Sequence, residues 1–327
     1  MHRSRRDLDA VETIDTKRSP GVAAFGFSVV GAFVILCGYY IFAHWKDFLF
    51  VAQVSFPETA AAGLLILGSY VANSYQLHLF LRKFGLTLGF VELTALTMGM
   101  LLGNLVIPMR GGTGGLAVYL KRVHGLDLQA FAVIYAGTAL LVALINSALA
   151  IFALVILGWF NGVVYPVLSL CVATIFVCCL YLCLFLPPMK WKKSGILSPV
   201  FQAAHSWHVL TRDRRLLASL AVSLLIISFV LTAAFYFIYR ALDTPLSLFG
   251  VLVTSCLGNV ANLIPLTPGS LGFFDAVVIE IPQLFGVDPA RAIAATLVFR
   301  VLCFFWALLL GIPGMYYLFK NGPTGKP

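Results

Sequence analysis

Asn262-Leu263-Ile264-Pro265-Leu266-Thr267-Pro268-Gly269-Ser270-Leu271-Gly272 ends an apolar segment with two prolines and two glycines. An earlier counterpart runs Gly103-Asn104-Leu105-Val106-Ile107-Pro108-Met109-Arg110-Gly111-Gly112-Thr113-Gly114-Gly115. Proline removes a backbone donor and glycine loosens the chain, so both stretches read as helix breaks. In lipid, a backbone that stops being helical must be satisfied by neighbouring protein or by a water-filled cavity. Two such breaks, one in each half, point to a site inside a membrane protein.

The composition agrees. Of 327 residues, 61% are hydrophobic and 11% charged, with a mean hydropathy of +0.97. Soluble domains run at about 45 to 50% apolar. The chain therefore reads as an all-α polytopic membrane protein forming a single transmembrane domain over 21–319, between an N-terminal tail at 1–20 and a C-terminal tail at 320–327. The formal net charge of +9 sits in short segments beside the spans, as cytoplasmic loops require, so nucleic acid is not an expected partner. The seven cysteines lie in or beside apolar segments without metal-ligand spacing, and no metal or cofactor is expected. Met1 to Pro20 is too long and too polar to open a cleavable signal, so Val22 to Phe42 reads as a retained first span.

Further spans are expected at Thr59–Leu81, Leu128–Trp159, Val163–Leu186, Leu216–Tyr239 and Ala290–Phe319, the last with a bend at Gly311 to Gly314. Phe90–Ile107 and Pro245–Ile264 are shorter and stop at the breaks; Gly115–Leu120 and Leu271–Ile281, closed by Pro282, read as short return arms. Val200 to Leu210 reads as an interfacial helix within a basic linker at about 187–215. The expected architecture is about six transmembrane helices plus two re-entrant broken-helix hairpins.

Pro265 follows Pro108 by 157 residues, and Gly286 follows Gly125 by 161. Near-constant offsets across span, break, short arm and long span indicate a duplicated unit, about 59–159 and about 216–319. Placing the basic clusters on one face puts both termini in the cytoplasm and turns the second unit upside down relative to the first. Inverted repeats with broken helices meeting near the midplane are the geometry of alternating-access transporters.

Asn104 to Leu120 and Asn262 to Leu271 resemble the membrane domain of lysylphosphatidylglycerol synthases and the related flippase-like integral membrane proteins. The second break is similar to that family's proline-threonine-proline-glycine-glycine signature, with Ser270 in place of a glycine. Arg300 in Thr296-Leu297-Val298-Phe299-Arg300 matches its last-span arginine, and the likeness covers roughly Thr59 to Phe319. It implies a bacterial inner-membrane protein that moves a polar lipid, phospholipid or isoprenoid-linked, between leaflets, with lipid-synthesis enzymes or a second copy as partners. The synthases carry a further soluble aminoacyl transferase domain, which is not expected here. Thr113, Leu116 and Phe274 are uncharged where the family commonly places an acid, a base and a base, so its headgroup preference does not transfer directly.

Arg300, about ten residues into an apolar helix, should face a cavity or an anion. A permanent pair with Asp275 or Glu280, a lipid phosphate, and snorkelling to the interface are all open. Arg110 in its glycine-rich turn suits a phosphate by forked hydrogen bonding, or is an ordinary loop charge. Asn104, Asn259, Asn262, Thr267 and Ser270 can cap the carbonyls freed by Pro108, Pro265 and Pro268, with Gly112, Gly269 and Gly272 permitting close approach. Glu92 and Glu280 are candidates for proton coupling, and Tyr70, Asn73, Tyr75 and Gln76 give the second span a polar flank. The function expected is lipid translocation. An integral membrane enzyme acting on a lipid carrier, or a non-catalytic partner in envelope synthesis, are the alternatives.

Overall fold

The computed structural model describes residues 54–107, 110–162, 164–184, 213–264 and 267–321. The expected first span, the interfacial helix at Val200 to Leu210, and Pro108 and Pro265 lie outside them. Among the described residues the chain is all helical: α1 (Phe56–Lys83), α2 (Phe90–Val106), α3 (Gly111–His124), α4 (Leu128–Asn161), α5 (Pro166–Leu184), α6 (Arg214–Ala241), α7 (Leu248–Ala261), α8 (Phe273–Leu284) and α9 (Pro289–Asn321), with a 3-10 turn at Pro268–Ser270. Four of these, within α4, α5, α6 and α9, are long and apolar enough to cross a membrane. α1 is as long as α6, but Ser69, Asn73, Ser74 and Gln76 lower its apolarity.

Pro57 in the first turn of α1 lacks only an N–H that would have no acceptor within the helix, and Arg82 and Lys83 sit at the helix's negative end. The helix lies antiparallel to α6: Ser55 N–H donates to Ala241 O at 3.2 Å, while at the far end Lys83 Nζ reaches Asp213 Oδ2 at 2.6 Å. Asp213 also caps α6, accepting from Leu216 N–H. The Lys83 ammonium, with that N–H, holds the Asp213 carboxyl below its usual value. This tie is therefore present above the ordinary carboxylate range and is lost as pH falls through the lowered value.

α2 and α3 form a hairpin whose open end lies beside Lys83. Leu77 and Leu81 of α1 pack there with Leu93, Leu116, Leu120 and Leu126, and Glu92 at the start of α2 accepts from Tyr119 Oη at 3.0 Å and meets His124 Nε2 at 2.9 Å. α7 and α8 form a second hairpin whose open end lies at the other end of the bundle, where Phe285 meets Gly250 and stacks edge-on with Tyr165 at 5.0 Å. Each hairpin packs on the long helix of the opposite half, α2 along α9 and α7 along α4. Arg82, Lys83, Lys121, Arg122, Arg214, Arg215 and Lys320 gather at the Lys83 end, against Arg240 and Arg291 at the other.

Three expectations change in detail. The return arm after the first break is not a short piece from Gly115 but a helix from Gly111, held against α2 at Gly112: a Cβ on Gly112 would lie 2.0 Å from Met100 O, and one on Gly103 of α2 would lie 2.6 Å from Gly112 Cα. Pro282 does not close the second arm but sits inside α8, which runs on to Leu284. Gly311 and Gly314 do not interrupt α9; a Cβ on either would meet Leu102 or Ala95 of α2 at 3.0 Å, so they let the two helices touch. In lipid, where apolar burial between helices gains little, such small-residue contact is the main packing force.

Gly112→Ala is expected to lower stability by about 2 kcal/mol or more through overpacking. Gly114→Ala, two residues on with open space around it, should instead raise it by about 0.5 kcal/mol through helix propensity. Thermal unfolding of the purified variants in one detergent checks the contrast.

Candidate functional site

The two breaks meet in the middle of the bundle. At the first, α2 ends at Val106 and is followed by an extended Ile107, whose N–H still donates to Gly103 O at 2.8 Å, and Arg110 takes a left-handed conformation with φ 54° before α3 begins. Asn104 clamps the turn, its Oδ1 accepting from Thr113 N–H at 2.9 Å and its Nδ2 donating to Thr113 Oγ1 at 3.1 Å. Arg110 then bridges the two halves: Nη2 donates to Asn262 O in the second break, and Nη1 to Tyr135 Oη of α4 in its own half.

At the second break Gly269, Ser270 and Gly272 all have positive φ. Ser270, in place of a glycine, holds φ 54° and donates through Oγ to Asn262 O at 3.4 Å. A non-glycine residue there costs on the order of 1 kcal/mol. Thr267 Oγ1 donates to Leu271 O. Asp275 caps α8, its Oδ2 accepting from Gly272 N–H at 2.9 Å. Arg300 on α9 binds the same carboxylate through Nε at 2.8 Å and the freed Gly269 carbonyl through Nη1 at 2.7 Å. Its guanidinium carbon lies 4.7 Å from the Phe274 ring centre, in a stack continued by Phe299 and Phe235. Asp275 is thus the partner of Arg300; Glu280 is exposed on the same helix.

Between the tips lies a cavity of about 340 Å³. Asn104, Arg110, Asn259, Asn262, Thr267, Gly269, Ser270 and Arg300 line it together with Asn73 and Gln76 of α1. The cavity reaches Phe84 and Leu126 at the Lys83 end. Its lining includes none of Ile66, Phe235, Ile238, Ala153, Leu154 or Leu252, which pack in two buried clusters. Asp275 stands behind Arg300, away from the cavity wall, with 2% of its side chain exposed. Glu92 lies at the open end of the first hairpin, tied to Tyr119 and His124, and Tyr75 is exposed on another face of α1.

Sequence reasoning noted Asn146 only as a polar interruption of its span and assigned neither it nor Tyr135 to the site. Asn146 Oδ1 accepts from Ser228 Oγ and from Asn259 Nδ2, each at 3.1 Å, joining α4, α6 and α7 at the cavity floor. An amide in mid-span costs free energy unless bonded, and that was the available signal.

A bundle of apolar helices folded around a chamber that carries two guanidiniums and a set of amide side chains defines a multi-pass membrane protein. Residues 22–311 match the lysylphosphatidylglycerol synthase TM region, and the chain belongs to that family. Over 82 residues, 25% of this chain, it is 33% identical to a "UPF0104 membrane protein" of Methanothermobacter thermautotrophicus, and that stretch spans 24% of the relative's length.

Asp275→Asn should lower stability by about 3 kcal/mol, since it leaves a guanidinium 13% exposed without its counter-charge. Combining it with Arg300→Met should cost less than the sum of the two single changes. A double-variant cycle of melting curves reads the coupling.

Proposed function

We propose that the protein passes a polar or anionic lipid between the two leaflets, holding the headgroup in the central chamber while the acyl chains stay in the bilayer. The observation that carries this reading is the chamber itself. Both broken tips wall it, two guanidiniums line it, and among the described residues its lining extends to the Lys83 end of the bundle. A headgroup needs a polar path, and a path open at both ends would leak water and ions.

In this reading the hairpins are re-entrant and the two halves are inverted repeats. Support comes from their open ends lying at opposite ends of the bundle and from the crosswise packing of α2 on α9 and α7 on α4. The Lys83 end, rich in Lys and Arg, is then cytoplasmic by the positive-inside rule. With the chamber open on that side, the described conformation would receive a headgroup from the inner leaflet. Rocking of one hairpin and its partner helix against the other would expose the chamber to the opposite side. Arg110, Arg300, Asn104, Asn259, Asn262, Thr267 and Ser270 form the path. Asp275, Pro108, Gly112, Pro265, Pro268, Gly269 and Gly272 shape its tips. Glu92 with His124 at the first hairpin's mouth is the stronger candidate for coupling to protons; Glu280 is remote from the chamber wall.

Reconstitution into vesicles carrying fluorescent phospholipid tests the reading. Leaflet exchange should be faster than in protein-free vesicles. Arg110→Gln should slow it by about tenfold, the rate equivalent of about 1.4 kcal/mol for one charge-assisted hydrogen bond. Unchanged exchange for every phospholipid and isoprenoid phosphate tried, alongside group transfer onto any of them, would replace transport with enzymatic chemistry.

A further inference from the structure

The chamber wall is chemically one-sided. Among the described residues its charged groups are Arg110 and Arg300, the remaining polar ones are neutral, and no Asp or Glu lines it. Asp275, the nearest carboxylate in the bonding pattern, has both oxygens engaged, one by Arg300 Nε and the other by Gly272 N–H. Two guanidiniums against one carboxylate leave an excess positive charge at the tips. The N-terminal end of α3 adds to it, because its first turn holds no acid.

Hydrogen-bond accounting points the same way. Two donors on residues of the wall, Arg300 Nη2 and Gln76 Nε2, are buried and have no partner among the described residues. Four acceptors there already receive bonds: Asn262 O from Arg110 and Ser270, Gly269 O from Arg300, Asn146 Oδ1 from Ser228 and Asn259, and Asn104 Oδ1 from Thr113; the acceptors left are neutral amide and hydroxyl oxygens. Buried donors left unpaired are costly, and a charged one more so. The ligand that relieves this arrangement is anionic and rich in acceptors. An ammonium group would meet like charge and find no free carboxylate.

We propose that the chamber takes an anionic phosphodiester headgroup whose other polar groups are hydroxyls, and that it discriminates against headgroups bearing a primary amine. This rests on the lipid-passage reading and narrows it. It also sets this chain apart from the aminated lipid in its family's name.

The experiment titrates the full-length protein, in a neutral detergent, with four short-chain or soluble probes and follows the melting temperature. The probes are dihexanoyl phosphatidylglycerol, its lysyl ester, dihexanoyl phosphatidylethanolamine, and glycerophosphoglycerol, which is the same headgroup without acyl chains. Phosphatidylglycerol should half-saturate the shift at about a tenfold lower concentration than either amine-bearing lipid. Gln76→Glu puts a carboxylate on the wall at constant size, and should move the ratio of phosphatidylglycerol to lysyl ester affinity by about tenfold toward the ester. Asn73→Asp, on the same wall, carries the same test if that variant does not fold. A lysyl ester that binds the native protein as tightly as phosphatidylglycerol, or a ratio that neither carboxylate moves, overturns the proposal. Glycerophosphoglycerol binding as tightly as the lipid would support the headgroup chemistry while contradicting lipid passage, so the two ideas fail separately.

Discussion

Peptide groups laid bare at two helix breaks have no water to turn to inside a bilayer, and the rest of the structure answers that constraint. Each unsatisfied group there costs several kcal/mol. Both cations serve the second break: Arg110 of the first break holds the Asn262 carbonyl, and Arg300 of the last helix holds the Gly269 carbonyl. A guanidinium suits the task because its planar fork can hold a carbonyl with one nitrogen and a second partner with another. Tyr135 and Asp275 fill those second positions. The interactions that hold the tips together therefore also place two cations around the chamber.

Close helix contact supplies the frame for that arrangement. Gly103 lies against Gly112 within the first hairpin, Gly258 against Val278 and Phe274 within the second, and Gly311 and Gly314 bring α9 onto α2. Backbones this near exchange dispersion contacts that lipid tails cannot match. Because each hairpin leans on the other half's long helix, neither half is a free-standing body. In the proposed transport cycle, movement of one against the other would be a change of shared surface, which favours a small number of discrete arrangements over continuous flexing.

Much of this was legible in the amino-acid order. Apolar length placed α1, α4, α5, α6 and α9 within a few residues, and the prolines located both tips. Arg300 in an apolar helix left a carboxylate pair, a lipid phosphate and snorkelling open; its pairing with Asp275 rather than Glu280 follows from the turn geometry of Gly269 to Gly272, which no periodicity encodes. The extent of α3 was hidden for a clear reason: Gly111, Gly112, Gly114 and Gly115 have low helix propensity, and tertiary contact with α2 overrides it. Tyr135 and Asn146 were hidden because a polar group on a long apolar helix shows that it needs a partner without showing where the partner lies.

The proposal that the two hairpins enter from opposite faces is tested most directly by side-specific labelling. Single reporter cysteines at Lys121, near the open end of the first hairpin, and at Leu284, near that of the second, would be introduced with the exposed Cys171 and Cys178 replaced. A membrane-impermeant maleimide applied to right-side-out and inverted vesicles should label the Lys121 position from the inside and the Leu284 position from the outside. Labelling of both from one side would contradict the inverted arrangement and, with it, the transport mechanism built on it.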